Sequence, residues 1–202
     1  MLSLLFLGSS FPDIIFSMQN NTLISKNLLQ DFKKQNKLSS TVEFLFHIQQ
    51  KRHLQRFYVF CEKNNCILPK FVSSTILFHG STNMLTMLEP NTSVDQDGKK
   101  ESLNLVYATD DPNYAIFLAI LDIRESGGAS VHTPKSRPIK LSISLGFING
   151  PSKFKDGYIH IVSGSDFKKK TNKEYVSNRK TRVLFSVPVS PKDLTVPICV
   201  KI

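Results

Sequence analysis

The sequence predicts an α+β fold, with a helical N-terminal segment followed by a strand-rich body. Two textures carry that reading. Up to about residue 70, apolar residues recur at helical spacing among Asn, Lys and Gln. Beyond Pro69 the apolar runs become short and β-branched, with turn residues between them. The 202 residues suit one domain, or one domain with an extension, so the expected division is a mainly helical extension over 1–70 and a second unit over 71–202. Hydrophobic residues make up 41% of the chain and charged residues 21%, which permits a packed core and argues against global disorder.

The elements follow in order. Leu28, Leu29 and Phe32 have helical spacing and Ser25 is placed to cap them. Ser39-Ser40-Thr41 before Glu43 reads as a second helix start. From Val42 to Cys61 the residues Leu45, Ile48, Leu54, Phe57, Tyr58 and Cys61 suit one helix. Lys51, Arg52, His53 and Arg56 form its basic face, and Asn64-Asn65 ends it. Strands are expected near 75–79, 104–108, 138–145, 157–162, 182–189 and 195–201. A short helix is expected over Asn83 to Leu88. A longer one runs from Asp111 to Asp122, with Pro112 at its first turn behind Asp110 or Asp111 as cap. Residues 91–102, 126–138 and 164–182 read as loops, the last containing Lys168-Lys169-Lys170.

Charge and cysteine content narrow the classes. Lys plus Arg number 26 against 16 acidic residues, a formal net charge of +10, which attracts nucleic acid, an anionic membrane or a phosphate-bearing ligand without choosing among them. Cys61, Cys66 and Cys199 form no disulfide framework, and no His or Cys cluster has zinc spacing. Reduced thiols fit a cytosolic setting. The apolar start, MLSLLFLGSSFPDIIFS, lacks a basic flank and is interrupted by Pro12-Asp13, so it reads as a packed or poorly ordered segment rather than a signal or a membrane span. Met18, after which the chain turns polar, is a second candidate start.

Three stretches carry chemistry. Thr75-Ile76-Leu77-Phe78-His79-Gly80-Ser81 is an apolar strand that ends in an imidazole and bare backbone. Val106-Tyr107-Ala108-Thr109 ends another strand. Asn172-Lys173-Glu174-Tyr175-Val176 carries a carboxylate. Breaking a bond between a ribose and a flat leaving group passes through a cationic, oxocarbenium-like state. A carboxylate stabilises that state and an aromatic face supports the leaving base. Imidazole offers a donor to a ribose hydroxyl, and glycine lets backbone approach an amide. Singly, His79 reads as a strand-end histidine, Tyr107 as a core aromatic and Glu174 as a surface charge; the ordered combination is what points to a site.

That combination resembles the His-Tyr-Glu class of ADP-ribosyltransferases, the group of diphtheria toxin and the poly(ADP-ribose) polymerases. Leu77-Phe78-His79-Gly80-Ser81 resembles the family's first strand. Leu85 to Pro90 resembles the segment after it, and Val106-Tyr107-Ala108-Thr109 the tyrosine strand. Pro112-Asn113-Tyr114-Ala115 resembles the start of the helix with the second tyrosine, and Asn172 to Val176 the glutamate strand. The resemblance covers about residues 75 to 190. It implies an ADP-ribosyltransferase-like split β-sandwich with NAD as co-substrate and no metal. Glu174, His79 and Tyr107 are the implied catalytic residues, and His79, Gly80, Ser81, Tyr107 and Tyr114 the implied NAD contacts. His79 would hold ribose hydroxyls, Gly80 backbone the carboxamide with help from Ser81, and Tyr107 and Tyr114 would sandwich the nicotinamide. Glu174 would bind the ribose 2′-hydroxyl. The segment between Tyr107 and Tyr114 is shorter than in the polymerases, which makes Phe117 a rival second ring, and Lys173 is an extra residue before Glu174. No elongation apparatus is recognisable, so the implied reaction is a single transfer of ADP-ribose to a protein or nucleic-acid acceptor. The implied location is the cytoplasm, or a host cytosol for a delivered effector.

Three other readings stand beside it. A tRNA 2′-phosphotransferase shares the fold, and Arg124, Arg137, Arg179 and Arg182 are the arginines available to it. A non-catalytic module would bind NAD, ADP-ribose or a protein. A nucleic-acid binder would interleave aromatics with Lys/Arg, for which Phe154, Tyr158 and Phe167 beside lysines are the visible pairs.

Overall fold

The computed structural model of the protein describes residues 23–70, 75–94, 100–123, 128–132 and 138–201. The expectations for residues 1–17, Arg124 and Arg137 lie outside the described residues. The chain is mixed α/β with a large antiparallel sheet. It begins with α1 (Lys26–Gln35), α2 (Thr41–Ile48) and α3 (Lys51–Lys63). Then come β1 (Ile76–Ser81), β2 (Met87–Leu88), β3 (Asn91–Val94), β4 (Lys100–Thr109) and α4 (Pro112–Ile120). After these lie β5 (Leu121–Asp122), β6 (Ala129–His132), β7 (Lys140–Ser144), α5 (Leu145–Asn149), β8 (Lys153–Phe154) and β9 (Gly157–Ser163). The chain closes with β10 (Lys168–Lys169), β11 (Glu174–Ser177), β12 (Thr181–Val189) and β13 (Ile198–Lys201).

The main sheet has the order β10-β11-β4-β1-β9-β12-β2, with β3 paired to β4. Its pairings are antiparallel. A smaller sheet places β7 between β13, parallel to it, and β6, antiparallel to it.

Capping follows the expected chemistry. Ser25 accepts from the Leu28 N–H, Ser40 from the Glu43 N–H, and Asp111 from the N–H groups of Asn113 and Tyr114. Asp111, not Asp110, is therefore the cap of α4. This helix is apolar on nearly every side because it lies inside the molecule, with Leu118 as its exposed apolar residue. It packs on β1 and β9 through two glycines. A Cβ at Gly80 would overlap the carbonyl oxygen of Ala115, and one at Gly157 that of Ala119. The two alanines are one turn apart, so sheet and helix touch backbone to backbone.

The three N-terminal helices share their core with the sheet. Phe57 meets Phe32 at 4.9 Å, Phe44 at 5.1 Å and Phe185 of β12 at 5.3 Å between ring centroids. One buried cluster contains Leu29, Phe44 and Leu54 together with Ile76, Ala115 and Ile161. The hydrophobic core thus runs across residue 70. The Ile24 N–H donates to the Ser186 carbonyl and ties the entrance of α1 to β12.

Several elements differ from expectation. The single helix over 42–61 is two, because the buried sets Phe44, Leu45, Ile48 and Leu54, Phe57, Cys61 are out of helical phase. Gln50 is extended at the break, and the Gln49 amide donates to the Asp110 carbonyl at 2.6 Å. No helix forms over 83–88. Leu88 instead pairs with Thr181, and the Asn83 carbonyl is bound by His160. The loops expected over 91–102, 126–138 and 164–182 hold β3 and part of β4, β6, and β10 with β11. These ladders are backbone hydrogen bonds, so a polar sequence conceals them.

The Gly80 contact yields a test. Gly80→Ala is expected to lower stability by about 2–3 kcal/mol through forced backbone movement. Gly164→Ala, whose Cβ would find its nearest neighbour, Thr75 Cβ, at 3.4 Å, is expected to change it little. Thermal unfolding of both variants checks the contrast.

Candidate functional site

The site forms where β1 and β4 part. β1 zips to β9 along its whole length, from Ile76↔Ser163 to Ser81↔Tyr158. With β4, among the described residues, its register comprises the single pair Phe78↔Thr109. Beyond that pair a side chain spans the seam: His79 Nδ1 lies 2.7 Å from the Tyr107 carbonyl oxygen. A carbonyl only accepts, so Nδ1 carries the hydrogen and Nε2 of the neutral ring is an acceptor. Burial pushes the His79 pKa down to about 4, so the ring is neutral at physiological pH. Sequence reasoning assigned imidazole the donor's role toward a ribose hydroxyl. The structure corrects this, because the donor nitrogen is used by the backbone.

Behind His79 stands His160, its register partner on β9, with ring centroids 6.0 Å apart. His160 Nε2 donates to the Asn83 carbonyl at 3.0 Å, and its Nδ1 accepts from the Ser186 hydroxyl at 2.7 Å. Burial, with a smaller contribution from His79, lowers its pKa to about 4 as well.

Glu174 reaches the same place from the other flank of β4. β11 pairs with β4 so that Glu174 is opposite Thr109 and Val176 opposite Tyr107. Two strand spacings separate β11 from β1, about 10 Å. The carboxylate is held from both sides. The Tyr114 hydroxyl, from the first turn of α4, donates to Oε1 at 2.6 Å, and Thr171 Oγ1 donates to Oε2 at 3.3 Å. Burial, reinforced by this bond, raises the Tyr114 pKa, so the phenol keeps its proton. Lys173 pairs with Asp110 at 3.5 Å and Asp111 at 3.8 Å, fastening the β10–β11 turn to the cap of α4. Lys170 Nζ donates to the Tyr107 hydroxyl at 3.1 Å and sits 4.8 Å from the centre of that ring.

His79, Gly80, Tyr107, Thr109, Tyr114 and Glu174 line one small recess of about 50 Å³. A second recess, of about 300 Å³, is lined by His79, Leu85, Leu88, Leu105 and Tyr107 among others. His79 and Tyr107 are the wall the two share. Five of the six residues expected from sequence therefore meet at the first recess. Ser81 lines neither recess, and its hydroxyl accepts from the Asn83 N–H at 3.1 Å. Phe117 is fully buried beside Leu141 and Phe147, which removes it as the rival ring. Arg179 pairs with Asp166, Arg182 sits opposite Met87, and neither lines a recess. Phe154 packs on Phe147 and Tyr158 stacks on His160, so these aromatics do not alternate with lysines on one face.

Sequence reasoning missed His160 and Thr171. The apolar alternation of Tyr158-Ile159-His160-Ile161 marked a buried position occupied by imidazole, which was the available signal for the first. Among the described residues, no three His, Cys, Asp or Glu side chains gather into a metal site, and no helix is long and apolar enough to cross a membrane. No protein family, curated protein or solved structure matches the chain.

The histidine pair sets a pH dependence. Unfolded, both rings titrate near about 6.5; folded, near about 4. Between these values the unfolded chain binds protons that the folded chain does not. Stability is therefore fully present above about pH 6.5 and is lost as pH falls toward 4. His47 and His53, also lowered by burial, act in the same direction. Urea unfolding is expected to give a stability at pH 5 at least about 2 kcal/mol below that at pH 7.5, and His160→Gln to flatten the dependence.

Proposed function

We propose that the protein is an NAD-dependent ADP-ribosyltransferase with an ADP-ribosyltransferase-like split β-sandwich, making a single transfer to a macromolecular acceptor. The observation that carries this reading is the convergence of His79, Gly80, Tyr107, Tyr114 and Glu174 on one recess. These residues lie far apart in sequence, and two of them, His79 and Tyr107, also line a larger, mainly apolar recess next to it. Two neighbouring recesses that share these residues suit a ligand with two lobes.

In this reading the nicotinamide ring sits at the smaller recess and the rest of the dinucleotide extends toward the larger. The pyridinium, a cation, rests against the Tyr107 ring, whose π face attracts positive charge. Gly80 presents backbone alone to the carboxamide. His79 Nε2 accepts from a ribose hydroxyl. Glu174 retains lone pairs beyond those engaged by Tyr114 and Thr171, enough to accept from the 2′-hydroxyl and to face the cationic transition state. Tyr114, already bonded to Oε1, is a positioning residue for the carboxylate as well as a wall of the recess. The C1′–N bond breaks with its electron pair leaving on nicotinamide. The acceptor's lone pair forms the new bond to C1′, and the acceptor's proton goes to water.

Nicotinamide release from NAD tests the reading. Wild-type protein is expected to release nicotinamide, slowly with water alone. Glu174→Gln is expected to reduce the rate by about 10²–10³ while NAD binding and the melting temperature persist. Tyr114→Phe is expected to cost about tenfold in kcat with a smaller effect on KM, since it removes one hydrogen bond to a charged group. A wild-type protein that is stabilised by NAD but releases no nicotinamide would make the site a binding module instead.

A further inference from the structure

Resting on the transferase reading of the Glu174 recess, we propose that the acceptor is a single-stranded nucleic acid, gripped by the lysines of the β10–β11 hairpin. β10 is the outermost strand of the main sheet and consists of Lys168 and Lys169, both exposed. The turn after it leads directly into Glu174, and the Lys170 and Thr171 N–H groups both donate to the Glu174 carbonyl. The hairpin therefore borders the carboxylate.

The charges here are not neutralised in the same way as elsewhere on this flank. Lys173 is paired with Asp110 and Asp111, and Lys180 with Glu89. Among the described residues, Lys168 and Lys169 have no carboxylate within ion-pair distance. Instead, Lys169 Nζ lies 5.8 Å above the Tyr175 ring and Lys170 Nζ 4.8 Å above that of Tyr107. Two ammonium groups each sit beside a tyrosine ring, Tyr107 in the recess and Tyr175 on the strand next to Glu174, a pairing of cation and aromatic face of the kind single strands use, phosphate on lysine and base on the Tyr175 ring. Successive strand residues point to opposite faces, so Lys168 and Lys169 straddle the sheet edge and meet a backbone running along it from both sides. An edge guard against strand pairing requires less than this. The chain's net charge of +10 supplies the long-range attraction.

The occupant is single-stranded because Glu174 is half-buried. A base in a duplex cannot reach a recessed carboxylate without leaving its stack, whereas a flexible strand delivers it without that cost. A nucleophilic oxygen or nitrogen of the strand forms the bond to C1′ as the C1′–N bond breaks. Nicotinamide leaves with the electron pair and the strand's proton passes to water.

The test uses the full chain, NAD, and a fluorescein-labelled oligodeoxynucleotide of about a dozen residues, read by anisotropy and by transfer of ADP-ribose to the oligonucleotide. Wild type is expected to bind it with salt-dependent affinity and to label it. The double variant Lys168→Ala/Lys169→Ala is expected to bind about tenfold more weakly, with a salt slope smaller by about 1.4, two contacts at about 0.7 each. Its hydrolysis of NAD with water is expected to be unchanged and its labelling to fall about tenfold. Lys168→Arg/Lys169→Arg should restore both. Binding and labelling insensitive to the alanine pair would overturn the inference, as would polyglutamate competing as well as the oligonucleotide, or a duplex binding as tightly. Those results leave the transferase reading standing if nicotinamide is still released. Absence of nicotinamide release removes that reading, and with it the acceptor role, whatever the binding arm gives.

Discussion

One hydrogen bond, from His79 Nδ1 to the Tyr107 carbonyl, holds the sheet where its own ladder stops. A sheet that continued to zip beyond Phe78 and Thr109 would have no room for a recess. A sheet that parted with nothing across the gap would leave a carbonyl unpaired in a half-buried place, at a cost of about 1–3 kcal/mol. The imidazole resolves both. It satisfies the carbonyl and keeps the strands apart by its own width. The same bond fixes the tautomer, so the structural requirement of the seam also decides which ring nitrogen faces outward. His160 works in the same way one strand further on, joining Asn83 to Ser186 with both nitrogens. Neutrality of both rings is a condition of this arrangement, since a proton added to either would sit in an apolar place beside a second imidazole.

The opposite wall depends on α4. Gly80 and Gly157 let that helix lie against the sheet at backbone distance, which brings its first turn beneath β4. Asp111 caps the turn and receives Lys173, and Tyr114, one residue past the cap's hydrogen-bonded Asn113, reaches Glu174. The glutamate is thus oriented by the sheet, by its own turn through Thr171, and by a helix that is itself seated by glycines. The N-terminal helices enter through Gln49, whose amide holds the Asp110 carbonyl. They are fastened to the sheet by Phe57 and Phe185, so the helical third of the chain braces the loop that carries the cap. This gives the many phenylalanines a use that composition alone did not suggest.

How much of this was legible follows from which interactions leave a local trace. The caps at Ser25, Ser40 and Asp111 were readable, because a capping side chain and its partner N–H are two or three residues apart. His79, Gly80, Tyr107, Tyr114 and Glu174 were readable as types at strand and helix ends. The seam was not, since it is a failure of pairing between residues 31 positions apart. β3 and β10 were hidden for a related reason, since outer ladders use backbone groups and tolerate Lys, Thr and Asn side chains, whereas β11 was legible through the family resemblance alone. Gly80 was read for what it lets a ligand do, whereas the structure shows first what it lets Ala115 do. The glycine serves the packing whether or not a ligand is present.

The electrostatics of the site are layered. Its floor is neutral: two uncharged imidazoles, a protonated phenol and apolar side chains surround a single carboxylate. Its rim is cationic, with Lys168, Lys169 and Lys170 beside the turn that supports that carboxylate. In a low-dielectric recess one negative charge exerts its field over a short, defined space, and neutral neighbours neither cancel nor compete with it. A cation forming at C1′ would find that charge already oriented. Were His79 or His160 protonated, the field would be offset from within, so the burial that lowers both histidines also preserves the pull of Glu174. The lysines, in contrast, face water and act where screening permits, on an anion still outside. In the proposed reaction, separation of the two layers would let one small region attract a polyanion while stabilising a cation, because the two charges are met at different depths.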